Sequence, residues 1–375
     1  MEIVKNIKVS TINIPLDDPV WLGSYSVNSR EYCLVEVITN LDRIGVGLAF
    51  TRGGDLSTAI LKNIAPFVIG EDVNNIEAIW EKAYIGNRLN GRQGLFMRAL
   101  SLVDLALWDL KGKKANMPLY ELLGGYKKSI PVLMAGGYYA PNKDITQLCQ
   151  EYEEYVEHGY KQLKLMVGGA SMEEDYERFV ALRKFLPDDV SLAIDTNGSW
   201  TDLHETARWV NKAEKEGCYL SFIEEPLPPE NKEGLSLLRN KIDTKIAMGE
   251  FIAGRWEFLD IMNRQVVDVV RADTTLCGGI TEWKRIASLA AAHNLKLFPH
   301  YYASLHLNVA LAFPNVEMIE VVSTKGKNSS FSLIAGENYT IQNGVATPKD
   351  LPGLGLTIDD ELVKFYLTTE ASFIS

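Results

Sequence analysis

Cysteine is scarce in this chain: only Cys33, Cys149, Cys218 and Cys277, all far apart. With no C-x-x-C pair, a zinc knuckle and a disulfide framework are excluded, and free thiols of a reducing compartment are expected. No basic run occurs in a chain of net charge −11 and pI about 5.1. That excludes nucleic acid and anionic membrane as main partners, although a local site can still be cationic. No apolar run approaches the roughly 20 residues of a membrane span. The opening "MEIVKNIKVSTINIPL" has neither the long apolar core nor the small-residue cleavage site of a secretory signal, so a soluble cytoplasmic protein is expected. No Gly-x-Gly-x-x-Gly stands at a strand–helix turn, which weighs against a dinucleotide cofactor.

What is present is 375 residues, 46% of them hydrophobic, enough for one large domain with a smaller companion. "IKVSTINIPL" alternates, and "YCLVEVITN" with "IGVGLAF" reads as a strand pair around "NLDR". "FMRALSLVDLALWDLKGKKA" then places Leu100, Val103, Leu107 and Leu110 at helical spacing. Residues 1–125 therefore read as an α+β unit. From 126 to 322 short apolar strands recur, each followed by a helical stretch: "IPVLMAGG", "QLKLMVGG", "SLAIDTNG", "YLSFIEEP", "KIAMGEF", "DVVRADTT", "KLFPHY" and "EMIEVV". Strand–helix alternation marks an α/β fold with parallel strands, and eight of them suggest a TIM-type barrel more than an open sheet. Residues 323–375 carry turns, short strands and one helix, expected to return to the first unit.

Active sites of such barrels lie at the C-terminal strand ends. The polar residues there are Lys164 on the second strand, Asp195 (with Asn197 two residues on), Glu224 and Glu225, Glu250, Asp273, His300, and Glu320 on the eighth. Three consecutive strands thus end in carboxylates, Asp195, Glu224 and Glu250. Converging like charges repel and raise each other's pKa values unless a cation intervenes, and hard oxygen ligands with room for water and a substrate carboxylate suit Mg²⁺. Asp273 and His300 lie on neighbouring strands, where a carboxylate on one imidazole nitrogen raises the basicity of the other. His293 and His306 fall within helical stretches and read as structural. Tyrosine pairs at 138–139 and 301–302 are placed to line a pocket or to pack.

These residues resemble the enolase superfamily, and within it the mandelate racemase-like group, over nearly the whole chain. "SLVDLALWDLKGKKANMPLYELLGG", "AIDTNG", "IEEP", "GE", "DTTLCGGITEW", "LFPHY", "EMIEV" and "PGLGL" stand in that family's order and spacing. The resemblance implies a modified (β/α)7β barrel under a cap built from the N-terminal region and the C-terminal segment. It implies one Mg²⁺ per subunit on Asp195, Glu224 and Glu250, abstraction of the proton α to a carboxylate, and a homo-oligomer anywhere from dimer to octamer. Two departures matter. Strand six ends in Asp273, not in the lysine of the muconate-cycloisomerase-like branch. Strand two carries Lys164 and then Met166, where the racemase-like branch usually has Lys-x-Lys.

Methionine takes no proton, so His300 is left as base on one face, and two-base racemisation is disfavoured. Dehydration of an acid sugar, aldonate or aldarate, to a 2-keto-3-deoxy acid is the leading expectation, with His300 acting as base and then acid. Glu320 is expected to hydrogen-bond the enolate oxygen, and Lys164 to offset its charge at the substrate carboxylate. In the family, cap loops select the distal end of the substrate, here "DDPVWLGSYSVNS" with Trp21 and "TRGGD" with Arg52, where Arg52 is placed to meet a second carboxylate. Tyr139 and Asn197 complete the candidate contacts to a small anionic polyhydroxy acid. Two alternatives remain: an epimerase or cycloisomerase of sugar acids or lactones, and a non-catalytic, metal-containing binding protein.

Overall fold

The computed structural model describes residues 1–22, 25–140, 143–323 and 330–374. Three alternating segments, β1 (Val4–Leu22), β2 (Tyr25–Thr39) and β3 (Ile44–Phe50), pair antiparallel. A distant one, β14 (Leu367–Ile374), adds beside β1, giving the order β14-β1-β2-β3. Alternation buries Ile7 and Val9 of β1 and, past a register shift between Thr11 and Ile12, Ile12 and Ile14. The long helix Gly94–Ala115 packs on this sheet and is itself largely buried. Its close approach rests on two glycines of β3. A Cβ at Gly45 would meet the Ala106 carbonyl oxygen at 2.1 Å, and one at Gly47 the Leu102 carbonyl oxygen at 2.2 Å.

Eight parallel strands follow: β4 (Ile130–Gly136), β5 (Gln162–Met166), β6 (Ser191–Asp195), β7 (Ile223–Glu224), β8 (Ile246–Met248), β9 (Val269–Val270), β10 (Lys296–Leu297) and β11 (Ile319–Val322). Each pairs with its successor from β4 to β10, and β11 pairs with β4. The ring closes through a parallel bridge between Leu297 and Val316, the segment leading into β11. Seven helices occupy the connections, Ile145–Glu157, Met172–Phe185, Leu203–Lys215, Lys232–Arg239, Arg255–Asn263, Gly279–Ala292 and Ala303–Ala310, which makes a (β/α)7β barrel. The first two start at capping boxes, Asp144 with Gln147 and Ser171 with Glu174, which satisfy backbone N–H groups left over by the helix ladder.

The C-terminal segment serves both sheets. β12 (Tyr339–Gln342) and β13 (Val345–Pro348) form a hairpin around Asn343-Gly344, both at positive φ as a type I′ turn needs, and β13 pairs with β4 of the barrel. β14 returns to pair with the cap sheet, and Ser330 and Phe331 pack on Tyr32 of β2. Cap and barrel are stitched by buried polar contacts. Asp104 accepts from the Thr281 N–H (2.9 Å) and hydroxyl (2.6 Å), the Trp80 indole donates to the Gly278 carbonyl (2.7 Å), and the Phe50 N–H donates to the Tyr302 hydroxyl (2.9 Å). No helix among the described residues is long and apolar enough to cross a membrane.

Candidate active site

The barrel interior explains how a lysine survives inside an apolar strand. Alternate strands β5, β7, β9 and β11 send in Lys164, Glu224, Arg271 and Glu320, the four-membered layer that barrel geometry produces. The layer is a closed ring of alternating charge. Lys164 Nζ lies 2.6 Å from Glu224, Glu224 accepts from Arg271 Nε at 2.7 Å, Arg271 donates to Glu320, and Glu320 lies 2.7 Å from Lys164. All four are at most 3% exposed. The rest of the barrel filling is apolar, a cluster of Leu133, Ala193, Phe222, Ala247, Val269 and Phe298. Burial alone would neutralise Lys164, but Asp195, Glu224 and Glu320 outweigh it and push its pKa well up. Burial likewise opposes ionisation of Glu320, and Lys164 and Arg271 overcome it, so the carboxyl sits well below the usual range. Both its oxygens are occupied, one by Lys164 and the other by Arg271 and the Tyr301 N–H (2.9 Å). The free protein therefore holds Glu320 as an acceptor, and to donate to a substrate oxygen it has to gain a proton when substrate arrives.

Above this ring the structure gathers Asp195, Glu224 and Glu250, each offering one oxygen within 4.8 Å of the others. Burial and the facing Glu224 carboxylate lift Asp195 to about 6. Burial, Asp195 and Glu224 drive Glu250 well above the carboxylate range. Glu250 Oε2 is buried and makes no hydrogen bond. An acceptor-only set, strained by mutual repulsion and holding an orphaned oxygen, fits a hard divalent cation. Glu225, next in sequence, is turned away. It sits at φ 43°, accepts from the Gly249 N–H at 2.7 Å, and is pushed up to about 8 by burial.

His300 and Asp273 meet as expected, Nδ1 to Oδ2 at 3.0 Å. Asp273 also accepts from the Thr275 N–H (2.7 Å) and hydroxyl (2.8 Å) and touches His306 Nε2 at 3.4 Å. Burial would raise Asp273, but the contacts led by the hydrogen bond with His300 outweigh it and hold the carboxyl well below the usual range. The Asp273 carboxylate engages His300 through Nδ1, so the ring's other nitrogen, Nε2, faces the metal side, 3.3 Å from Glu250 Oε2. His306 does lie on a helix, as its sequence context indicates, yet it is turned onto Asp273, and its Nε2 accepts from the Thr274 N–H at 3.0 Å.

A cavity of about 480 Å³ opens over these groups. Lys164, Met166, Asp195, Asn197, Glu250, Asp273, His300 and Glu320 reach it from the barrel and Arg52 from the cap. Tyr139 does not. Its hydroxyl donates to buried Asp175 and its ring stacks on Arg178, so the tyrosine of that pair facing the cavity is Tyr138. The Trp21 side chain lies outside the described residues. Sequence reasoning missed Arg271, although "VVRADT" carried the signal: it directly follows β9, two residues before Asp273, at the spacing that returns a side chain to the same face of an extended chain. Arg30 and Arg98, which also reach the cavity, left no sequence signal, because both stand in the cap far from any strand end of the barrel.

A closed barrel that presents three carboxylates, a lysine and a His–Asp pair beneath a separate α+β cap is a barrel of the enolase type. The chain belongs to the mandelate racemase/muconate lactonizing enzyme family of that superfamily. Residues 5–124 match the mandelate racemase/muconate lactonizing enzyme N-terminal domain, and residues 147–362 the enolase C-terminal domain-like family. Arabinonate dehydratase of Saccharolobus solfataricus is 36% identical over 93% of this chain and 94% of its own length. L-talarate/galactarate dehydratase of Salmonella typhimurium is 31% identical over 95% and 89%. The crystal structure of L-talarate dehydratase from Polaromonas sp. JS666, complexed with Mg and L-glucarate, superposes with a TM-score of 0.89 over 100% of both chains at 30% identity.

Proposed function

We propose that this chain is a Mg²⁺-dependent acid-sugar dehydratase, converting an aldonate or aldarate into a 2-keto-3-deoxy acid. The observation that carries the reading is the asymmetry of the cavity: a His–Asp pair on one side and a thioether, Met166, where a second base would stand. His300 Nε2 takes the proton from the carbon next to the substrate carboxylate. The C2–H electron pair becomes the C2=C3 bond, the C3–O bond breaks, and the imidazolium returns its proton to the departing hydroxide as water. The resulting enol tautomerises to the 2-keto acid, so one residue serves as base and then acid. Asp273 orients the ring and stabilises its charged form. Asp195, Glu224 and Glu250 would hold Mg²⁺, whose positive charge stabilises the charge developing on the carboxylate. Lys164 supports the same charge, and Asn197 lines the wall beside Asp195, to whose Oδ1 its N–H donates at 2.9 Å. The family relatives named above, dehydratases of sugar acids, support the reading, and four unpaired thiols support a reducing, cytoplasmic compartment.

The test incubates a library of acid sugars with Mg²⁺ and detects 2-keto acids with semicarbazide. His300→Asn is expected to lose about 10²–10⁴-fold in rate, and chelation to abolish turnover. Silence across the library together with α-proton exchange into D₂O, seen by NMR, would reject dehydration in favour of an epimerase or cycloisomerase.

A further inference from the structure

We propose that the cap end of the cavity is a second anion subsite built by Arg30 and Arg52, so that this site prefers acid sugars with a carboxylate at each end. The proposal rests on the dehydratase reading and narrows its substrate class from acid sugars in general to aldarates.

Among the described residues, everything the cap contributes to the cavity wall is arginine: Arg30 from β2, Arg52 just past β3, and Arg98 from the helix Gly94–Ala115. The carboxylates of the wall, Asp195, Glu250, Asp273 and Glu320, all come from the barrel. The cap therefore contributes three cationic groups and no carboxylate to the wall, whereas the barrel contributes the carboxylates together with Lys164 and His300. The arginines are also arranged. The guanidinium carbons of Arg30 and Arg52 lie 5.1 and 5.0 Å from the centroid of one ring, Phe50, so two like charges share a single aromatic platform. Arg98 supports that platform from behind, donating to the Thr51 carbonyl at 2.8 Å and to the Phe50 carbonyl.

Phe50 also ties the subsite to the chemistry. Its ring packs 5.2 Å from Tyr301 and 5.6 Å from Tyr302, its N–H donates to the Tyr302 hydroxyl, and Tyr301 directly follows His300. The spacing between base and arginines is thus set by packed rings, which favours a ligand of defined length. A guanidinium fork matches a carboxylate two bonds at a time, a geometry a sugar hydroxyl cannot return. A terminal phosphate offers the same chemistry and is included in the test.

The experiment compares matched aldonates, aldarates and 6-phosphoaldonates on the Mg²⁺-loaded full chain, by 2-keto acid formation and, independently, by calorimetric binding. Aldarates are expected to exceed the matching aldonates at least tenfold in kcat/KM and in affinity. Arg52→Gln, an exposed position where the fold is not at risk, and separately Arg30→Gln, are expected to bring that ratio close to one, chiefly through KM. An aldonate preference in the parent, or an unchanged ratio in both variants, overturns the subsite. A preference for the 6-phosphoaldonate overturns the diacid assignment. If aldarates bind tenfold tighter and Arg52→Gln removes the difference while no 2-keto acid forms, the subsite stands and the dehydratase reading falls. If aldonates and aldarates are dehydrated and bound equally, the reverse holds.

Discussion

Lys164 shows what a buried charge needs in order to persist. Its ammonium has three protons and three carboxylate neighbours, Asp195 at 3.0 Å, Glu224 at 2.6 Å and Glu320 at 2.7 Å. Arg271 then prevents that acidic excess from collapsing by protonation, holding Glu224 and Glu320 ionised against their burial. The ring works only as a closed set, because removing one member leaves uncompensated charge in a low-dielectric interior. Arg271→Met, which keeps volume and loses the charge, is expected to destabilise the fold by roughly 3–5 kcal/mol, read as a lower thermal or urea midpoint. An unchanged midpoint would show that the four charges do not compensate one another. Lys164 was legible in the sequence because strand alternation and its cost together demand a partner. Arg271 obeys the same rule two residues before Asp273, whereas nothing local in the sequence distinguishes the adjacent Tyr138 and Tyr139 at a strand end.

At the scale of elements, the strands are short and their work is positional. β7, β9 and β10 are two residues each, yet they place Glu224, Asp273 and His300 at one rim because parallel pairing keeps the strands in register. Their order was readable from the recurrence of apolar runs with turn residues between. The destination of the C-terminal segment was not. The Asn-Gly turn marks a hairpin in sequence, but only pairing reveals that β13 joins the barrel while β14 joins the cap. The helix Gly94–Ala115 lies close against β3, where Gly47 leaves no room for a Cβ beside the Leu102 carbonyl. Gly47→Val is expected to cost about 1–3 kcal/mol or more through overpacking, with a lower unfolding midpoint. A neutral result would mean that helix and sheet can separate without loss.

For the whole molecule, activity requires cap and barrel to hold one relative position, since the cavity is walled by both. Asp104 is one of the joints, wholly buried between the helices Gly94–Ala115 and Gly279–Ala292, and burial lifts its carboxyl to about 7 against the hydrogen bonds from Thr281. In the folded state this acid keeps its proton to near pH 7, whereas unfolded it releases it near the ordinary value of 3.8. Between those pH values the folded form binds more protons, so the stability contributed by Asp104 falls as pH rises through the window and is lost above it. Asp104→Asn removes the titration. The midpoint of the variant relative to the parent is expected to rise from pH 4 to pH 7 and then level, and a difference independent of pH would show that Asp104 ionises alike in both states.

By itself the sequence determined the class of fold, the order of strand-end residues and the absence of a second base at Met166. Each of these depends on residue type and local spacing, which alternation along a strand translates directly into position. Tertiary structure alone decided that four charges from alternate strands close into a ring, that Tyr138 and not Tyr139 faces the cavity, that His306 reaches Asp273, and that three arginines from separate cap elements converge over the barrel mouth. Those arrangements rest on contacts between residues far apart in the chain, such as the Phe50 N–H and the Tyr302 hydroxyl, 252 positions apart, and no local period encodes them. They follow from closing the barrel and seating the cap upon it.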